Sequence, residues 1–363
     1  MSEYYHPRYS NSSSRPRRFN FLKVFLIALL LLIIIGGFGG WKVYNMLFDP
    51  NVYTGSDNAA FVHIPTGSTF EDVKNELYSK ELIINKSNFE LVSKLNKYIN
   101  AVKPGRYRLT DDMGNLKLVR LLRSGNQAPV NVIFNNIRTP EQLAGRIATQ
   151  IETDSVSIIN LINDTSFLDS LGVKRNSVFT ILIPNTYEFY WNTTARVFME
   201  RMKRESEKFW SAERNKKLDL IKMNRHEVIT LASIVEKETN MNDEKARVAG
   251  VYMNRLKRGW LLEADPTLVF AHGDFEIKRV LNIHKEIDSP YNTYRRQGLP
   301  PGPICLPSIS SIDAVLNYEE HEYMFFCASD DFSGYHSFAR TLEQHGVNAQ
   351  RYRAALNRRK IYK

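Results

Sequence analysis

Apolar residues along this chain change their spacing several times, and each change marks a new element. The longest apolar run comes first. Between Lys23 and Lys42 lie 18 uncharged residues, VFLIALLLLIIIGGFGGW. As a helix this run would be about 27 Å long, at ~1.5 Å per residue, enough to cross a hydrocarbon core. Further on, Phe61-Val62-His63-Ile64 alternates as a strand does, and Pro65-Thr66-Gly67 turns the chain. Ser68 or Thr69 can cap a helix carrying Phe70, Val73, Leu77 and Leu82. A second helix holds Phe89, Leu91, Val92 and Leu95, after which Pro104-Gly105 turns into the strand RYRL. Leu116, Leu118, Val119, Leu121 and Leu122 then lie on a helix that Gly125 ends.

The same grammar recurs. VNVIF (130–134) is a strand, Thr139-Pro140-Glu141 opens a helix, and Leu143, Ile147 and Ile151 line its face. The recurrence points to small α/β modules, weakly duplicated, which can bind glycan or act as spacers. PNTYEFY (184–190) reads as an aromatic loop, suited to stacking on sugars or to core packing. Ser211 to Lys217 is a polar, linker-like run. From His226 a helix reads HEVITLASIVEKET, with Val228, Leu231, Ala232 and Val235 on one stripe. A further helix spans about Asp243–Arg258, and Gly259 is a natural stop. The expected class is α+β: an N-terminal membrane helix, small α/β modules and a mixed α/β domain. The expected divisions are a tail at 1–22, an anchor at 23–43, a module at 55–125, a connecting α/β region at 130–215 and a C-terminal domain at 216–363.

Composition adds the setting. Hydrophobic residues make up 43% and charged residues 24%, as in a folded protein. The formal charge of +10 invites a nucleic-acid reading, but residues 1–23 hold five of the basic residues against one acid. The remainder has no arginine-rich stripe, which argues against nucleic acid as a partner. Arg15, Arg17, Arg18 and Lys23 precede the apolar run, so the positive-inside rule keeps the N-terminus cytoplasmic and places the chain beyond Trp41 outside. A retained anchor in the cytoplasmic membrane is favoured over a cleaved signal peptide, because an A-x-A-like site is absent. No cysteine follows the run directly, which excludes lipoprotein processing. Gly36 and Gly40 have GxxxG spacing, which chance explains in so Gly-rich a stretch. Residues 1–20 read as a disordered tail. Cys305 and Cys327 show no metal-ligand spacing, and no metal or organic cofactor is implied; a disulfide and two free thiols both remain open.

The densest chemistry lies in the helix from His226. Glu236 and Glu238 are two residues apart, about 200° around a helix, so they cannot flank one glycosidic bond as a paired acid and base. One glutamate beside an apolar stripe can still serve as acid and then base. Glu236, directly after Ile234-Val235, is the candidate; the plainer reading makes both exposed acids that pair with Lys237 or Lys245.

LASIVEKET (231–239) resembles the signature of the YceG-like family, the endolytic murein transglycosylases. The similarity continues through VAGVYMNRL (248–256), LLEADPTLVF (261–270), SPYNTYRRQGLPPGPI (289–304) and GYHSF (334–338), with GRYRL (105–109) and PNTYEFY upstream. The resemblance implies a LysM-like module after the anchor, Glu236 as the catalytic glutamate, and a cleft lined by the segments containing Asn254-Arg255, Asp265-Pro266-Thr267, Tyr291 to Tyr294 and Leu299 to Ile304. It also implies cleavage between N-acetylmuramic acid and N-acetylglucosamine, leaving a 1,6-anhydro end. The substrate would be peptidoglycan glycan strands, with membrane-bound peptidoglycan synthases as candidate partners. Asp265, Asn292 and Tyr294 are candidates to stabilise charge or orient sugar, and Thr267 and Tyr291 to line the cleft. Arg255 and Arg295 are candidates for stem-peptide carboxylates, with a helix-end brace equally open for Asn254-Arg255. His336 reads more as a structural hydrogen-bond donor than as a catalyst, and Pro300 to Pro303 as a rigid cleft wall. Asn185, where relatives often have Asp, and Leu306-Pro307-Ser308, in place of a commoner Asn-Pro-Gly, depart from the pattern. The rival readings are a hydrolytic muramidase with Asp265 or Glu263 as base, and a non-catalytic wall-binding scaffold.

Overall fold

The computed structural model describes residues 1–2 and 21–359. The expected N-terminal tail thus falls almost wholly outside the described residues. The chain divides into two compact units, one ending near residue 126 and one running from there to the C-terminus, with residues 104–106 counted in the second. The architecture is mixed and helix-rich, with three two-stranded sheets among the described residues.

Helix α1 runs from Phe21 to Phe48, longer than the apolar run alone. It is long and apolar enough to cross a membrane, and none of its residues is buried within the protein. Its last turn joins the folded unit: Met46 and Leu47 pack against the core, and the Asn115 amide donates to the Met46 carbonyl at 2.8 Å. The unit continues with β1 (Ala60–Ile64), α2 (Phe70–Ser79), α3 (Lys86–Leu95), β2 (Gly105–Leu109) and α4 (Asn115–Ser124). Thr69 caps α2 in a reciprocal box with Asp72, which satisfies two orphan backbone donors. The helical periodicity here marks a narrower buried face than expected. Phe89 and Val92 of α3 are buried, whereas Leu91 and Leu95 point outward. β1 pairs with β2, and Val62, Ile64, Tyr107 and Leu109 alternate into the core.

The second unit has two cores. The first is built by β3 (Val130–Ile133), α5 (Pro140–Ala148), α6 (Ser155–Asn163), α7 (Thr165–Ser170), β4 (Thr186–Phe189) and α8 (Ala195–Phe209). β3 and β4 are antiparallel, with Val132 opposite Tyr187. The expected aromatic loop at 184–190 is therefore a strand for most of its length. Tyr187 and Phe189 are buried and Phe134 stacks on Tyr187, so of the segment's aromatics only Tyr190 is exposed. Core packing outcompetes sugar stacking here because two aromatic side chains on one face of a strand stabilise most when covered.

The second core joins α9 (Ala212–Ile221), α10 (Arg225–Glu238), α11 (Lys245–Lys257), α12 (Asp265–His272), α13 (Ile309–Leu316), β5 (Phe325–Ala328), β6 (His336–Ala339) and α14 (Leu342–Arg358). The polar run at Ser211 to Lys217 is not a linker: Ser211 caps α9, and the Arg214 guanidinium pairs with Asp313 of α13. In the middle of α11, Gly250 lets the chain after α13 pass close by; a Cβ there would meet the Glu319 carbonyl oxygen at 2.3 Å. Both cysteines are free thiols, and Cys305 donates to the Ser233 carbonyl.

Candidate active site

α10 starts where it does because Asn224 and Glu227 form a reciprocal capping box. From Val228 to Val235 every residue is buried, so the helix runs through the second core. Its charged end emerges at the core's edge, where Glu236 and Glu238 meet different partners, as their spacing demands.

Glu236 enters a polar cage. Its Oε2 accepts from the Lys245 Nζ at 3.0 Å, from the Ser308 backbone N–H at 3.3 Å, and from the hydroxyls of Ser308 and Ser311. The Lys245 side chain is only 5% exposed, so the pair is a largely buried brace between α10, α11 and the start of α13. Burial alone would raise the Glu236 carboxyl, but the donors from Ser308, Ser311 and Lys245 outweigh it and hold the group below its ordinary value. The apolar stripe thus does not give Glu236 the raised proton affinity expected of a general acid; the hydroxyls and the ammonium reverse the sign.

Glu238 has the opposite environment. Burial pushes its carboxyl up to about 7; the Tyr252 hydroxyl, donating to Oε1, pulls the other way, Asp265 adds to the rise and Arg255 opposes it. Tyr252 is itself buried, which drives its own ionisation well above the ordinary range and keeps it a donor. Glu238 lines a cleft of about 580 Å³ together with Lys237, Asp265, Phe270 and His336. A larger groove of about 900 Å³ lies by α9 and the start of α10, where Glu227 is committed to its capping box.

The remaining candidates sort into those that reach the cleft and those that hold its walls. Asp265 opens α12 on the cleft side and accepts from the Tyr294 hydroxyl at 2.5 Å. Thr267 is fully buried, and its hydroxyl meets the Ala264 carbonyl and the Thr293 hydroxyl. Asn292 is buried too, and its amide donates to the carbonyls of Lys285 and Ile287. Thr267 ties the start of α12 to Thr293, and Asn292 ties the loop that presents Tyr294 to the segment before it. Tyr291 is half-buried, with its ring 4.7 Å from that of Phe270.

Asn254 donates to the carbonyls of His321 and Tyr323, and Arg255 to those of Met324 and Leu262. Arg255 is 7% exposed, and these carbonyls occupy its guanidinium as a brace at the helix end would. Arg295 is exposed and donates to the Glu286 carbonyl at 2.8 Å. Glu263 holds a left-handed backbone, φ 47°, and pairs with Arg255 at 3.4 Å. Gly302 of the Pro-rich loop lies against the Asn176 backbone, where no Cβ would fit.

The sequence pattern sets Glu238 beside Glu236 and favours Glu236, and it gives no sign of Tyr252 or of the Ser308–Ser311 cage. Tyr252 lies 14 residues beyond Glu238 on the next helix, a pairing that no local spacing announces. Ser308 stands in the segment that departs from the expected Asn-Pro-Gly.

A model of the YceG-like family matches residues 62–351. The endolytic murein transglycosylase of Bacillus subtilis is 27% identical, over 90% of this chain and 92% of its own length. That of Streptococcus pneumoniae is 26% identical, over 93% of this chain and 66% of its own length. A crystal structure of a YceG-like protein from Listeria monocytogenes covers 80% of this chain and 99% of its own, with a TM-score of 0.55 and 29% identity.

Proposed function

The chain belongs to the YceG-like family, and from that premise we propose that it is a membrane-anchored lytic transglycosylase of peptidoglycan in which Glu238 is the general acid. The observation that carries the assignment is the pairing of a cleft position with a carboxyl raised to about 7. At neutral pH such a group is protonated in a large fraction of molecules, as a donor to a glycosidic oxygen must be. Glu236, the sequence-based candidate, is already ionised by Lys245 and two serine hydroxyls and braces three segments.

In the reaction, protonated Glu238 donates to the oxygen that links N-acetylmuramic acid to N-acetylglucosamine. Positive charge builds on the muramyl ring, and Asp265, across the same cleft, is placed to stabilise it. The muramyl 6-hydroxyl then attacks the anomeric carbon and closes a 1,6-anhydro ring. The nucleophile is part of the sugar, so its effective concentration is high and no water needs activating. A base in the cleft must take the hydroxyl proton; the Glu238 carboxylate, emptied by the first step, is one. The second reading is a hydrolase, favoured by the presence of Asp265 as a second carboxylate in the cleft.

Helix α1 is the anchor, with the N-terminus cytoplasmic and both folded units on the outer face of the membrane. Glycan close to that membrane is the accessible substrate, and the synthases that make it are the natural partners. The strand-and-helix module behind β1 and β2 supports the LysM-like, glycan-gripping reading. Glu238→Gln should lower the rate of strand cleavage by 10³-fold or more, on the order expected for loss of an acid–base group, while Glu236→Gln acts mainly through stability. The reverse ranking, in folded variants at matched concentration, would return the acid role to Glu236.

A further inference from the structure

The cleft contains a second acid–base group that the single-glutamate mechanism does not use. Glu244, at the start of α11, is only 2% exposed, and His336 is its only ion-pairing partner among the described residues. The His336 backbone N–H donates to one Glu244 oxygen at 2.7 Å, and the ring Nδ1 lies 2.7 Å from the other, which also accepts from Thr239. A buried carboxylate in this position assigns the ring hydrogen to Nδ1. The opposite nitrogen, Nε2, meets no protein group among the described hydrogen bonds, and His336 lines the cleft that holds Glu238 and Asp265. The ring is fixed from two further sides. His336 opens β6 opposite Ala328, and the Phe326 ring packs edge-on, 5.2 Å between centroids. A histidine kept only as a brace has no need for such an aim: one nitrogen anchored by a buried acid and the other left open to a substrate cleft.

We propose that the Glu244–His336 pair is the base that accepts the muramyl 6-hydroxyl proton, leaving Glu238 to act as the acid. The inference rests on the transglycosylase reading above. The Glu238 proton goes to the bridging oxygen, which departs as the 4-hydroxyl of N-acetylglucosamine as its bond to the anomeric carbon breaks. O6 forms its bond to that carbon, and its proton passes to His336 Nε2. The ionised Glu244 stabilises the imidazolium, as a buried carboxylate does for histidine in nucleophilic triads. Water then carries the proton from His336 back to Glu238, which restores the starting state.

The test compares His336→Gln and Glu244→Gln with the wild type on uncrosslinked glycan strands, reading kcat, KM, the chemical nature of the new ends and the melting temperature. His336→Gln should lower kcat roughly 10²-fold or more with little change in KM. It should also raise the share of reducing ends, because water now competes with a 6-hydroxyl that no base assists. Glu244→Gln keeps the imidazole but sets an amide against Nδ1, which favours the wrong tautomer, so it should give the same signature. The proposal is overturned if either variant, folded, cleaves at the wild-type rate with anhydro ends alone, or if lost activity only follows the lost folded fraction. Glu238→Gln run alongside separates the two claims: full activity there would remove Glu238 as the acid, whereas reducing ends alone from the wild type would sink the transglycosylase reading itself, whatever His336 does.

Discussion

Two glutamates separated by one lysine carry opposite protonation states, and their neighbours account for the difference. For Glu238 the carboxyl is raised to about 7, chiefly by burial. A raised acid binds its proton more tightly in the folded than in the unfolded chain, so the native state is favoured below the unfolded value and loses that advantage as pH climbs through about 7. Glu238→Gln removes the ionisable group and should therefore raise the melting temperature relative to wild type at pH 8 and much less at pH 5. An equal shift at both pH values would show that Glu238 is not held in the raised state. A stabilising change that abolishes activity is the usual trade at a catalytic position. For Glu236 the sign is reversed: its lowered carboxyl contributes stability above the unfolded value, lost as pH falls through the folded one. Glu236→Ala strands the Lys245 ammonium, 5% exposed, without its partner. Thermal or denaturant unfolding should show a loss of about 3–5 kcal/mol, recovered in large part when Lys245→Met is added. No recovery in the double variant would mean that the serine hydroxyls, rather than the ion pair, hold the cage. None of this was visible in the spacing of the two acids, which showed only that they face apart. Which face meets a lysine and two serines, and which meets a tyrosine, depends on α11 and α13 arriving from 9 to 75 residues away.

At the scale of elements, much of the fold was legible wherever local chemistry and burial agree. Thr69, Thr139 and the stop at Gly259 mark boundaries that the structure keeps, and β1, β2 and β3 lie on the alternating segments. The reading failed where tertiary pairing decided the outcome. Residues 186–189 become strand β4 only because β3, more than 50 residues earlier, offers an edge. The run at Ser211 to Lys217 is helical because Ser211 caps it, and α9 is held against α13, where Arg214 meets Asp313. The same dependence makes the Pro-rich segment vulnerable. At Gly302 an added Cβ would lie 2.1 Å from the Asn176 carbonyl oxygen, a backbone atom that cannot swing aside. Gly302→Ala should cost roughly 1–3 kcal/mol by overpacking and reduce activity by displacing the loop from the Asn176 backbone. Unchanged denaturant midpoint and rate would show that this loop moves freely.

At the scale of the molecule, an apolar helix of 28 residues leads without a separate linker into the first folded unit, and the cleft lies wholly in the second. The sequence showed the long apolar helix because a run of apolar residues needs no partner to be recognised. The cleft was legible as motifs but not as roles: of the candidates, Asp265 and His336 line it beside Glu238, while Thr267, Asn292, Asn254 and Arg255 hold its walls. The catalytic assembly proposed from α10, α11, α12 and β6 makes a definite chemical claim about its product. The most direct test is mass spectrometry of the ends released from uncrosslinked peptidoglycan by the full-length protein in detergent. New muramyl ends lighter than a hydrolysed end by the mass of one water, and absent with Glu238→Gln, are the result expected of a lytic transglycosylase that uses Glu238 as its acid. Reducing muramyl ends from the wild type, or anhydro ends persisting undiminished in Glu238→Gln, would contradict it.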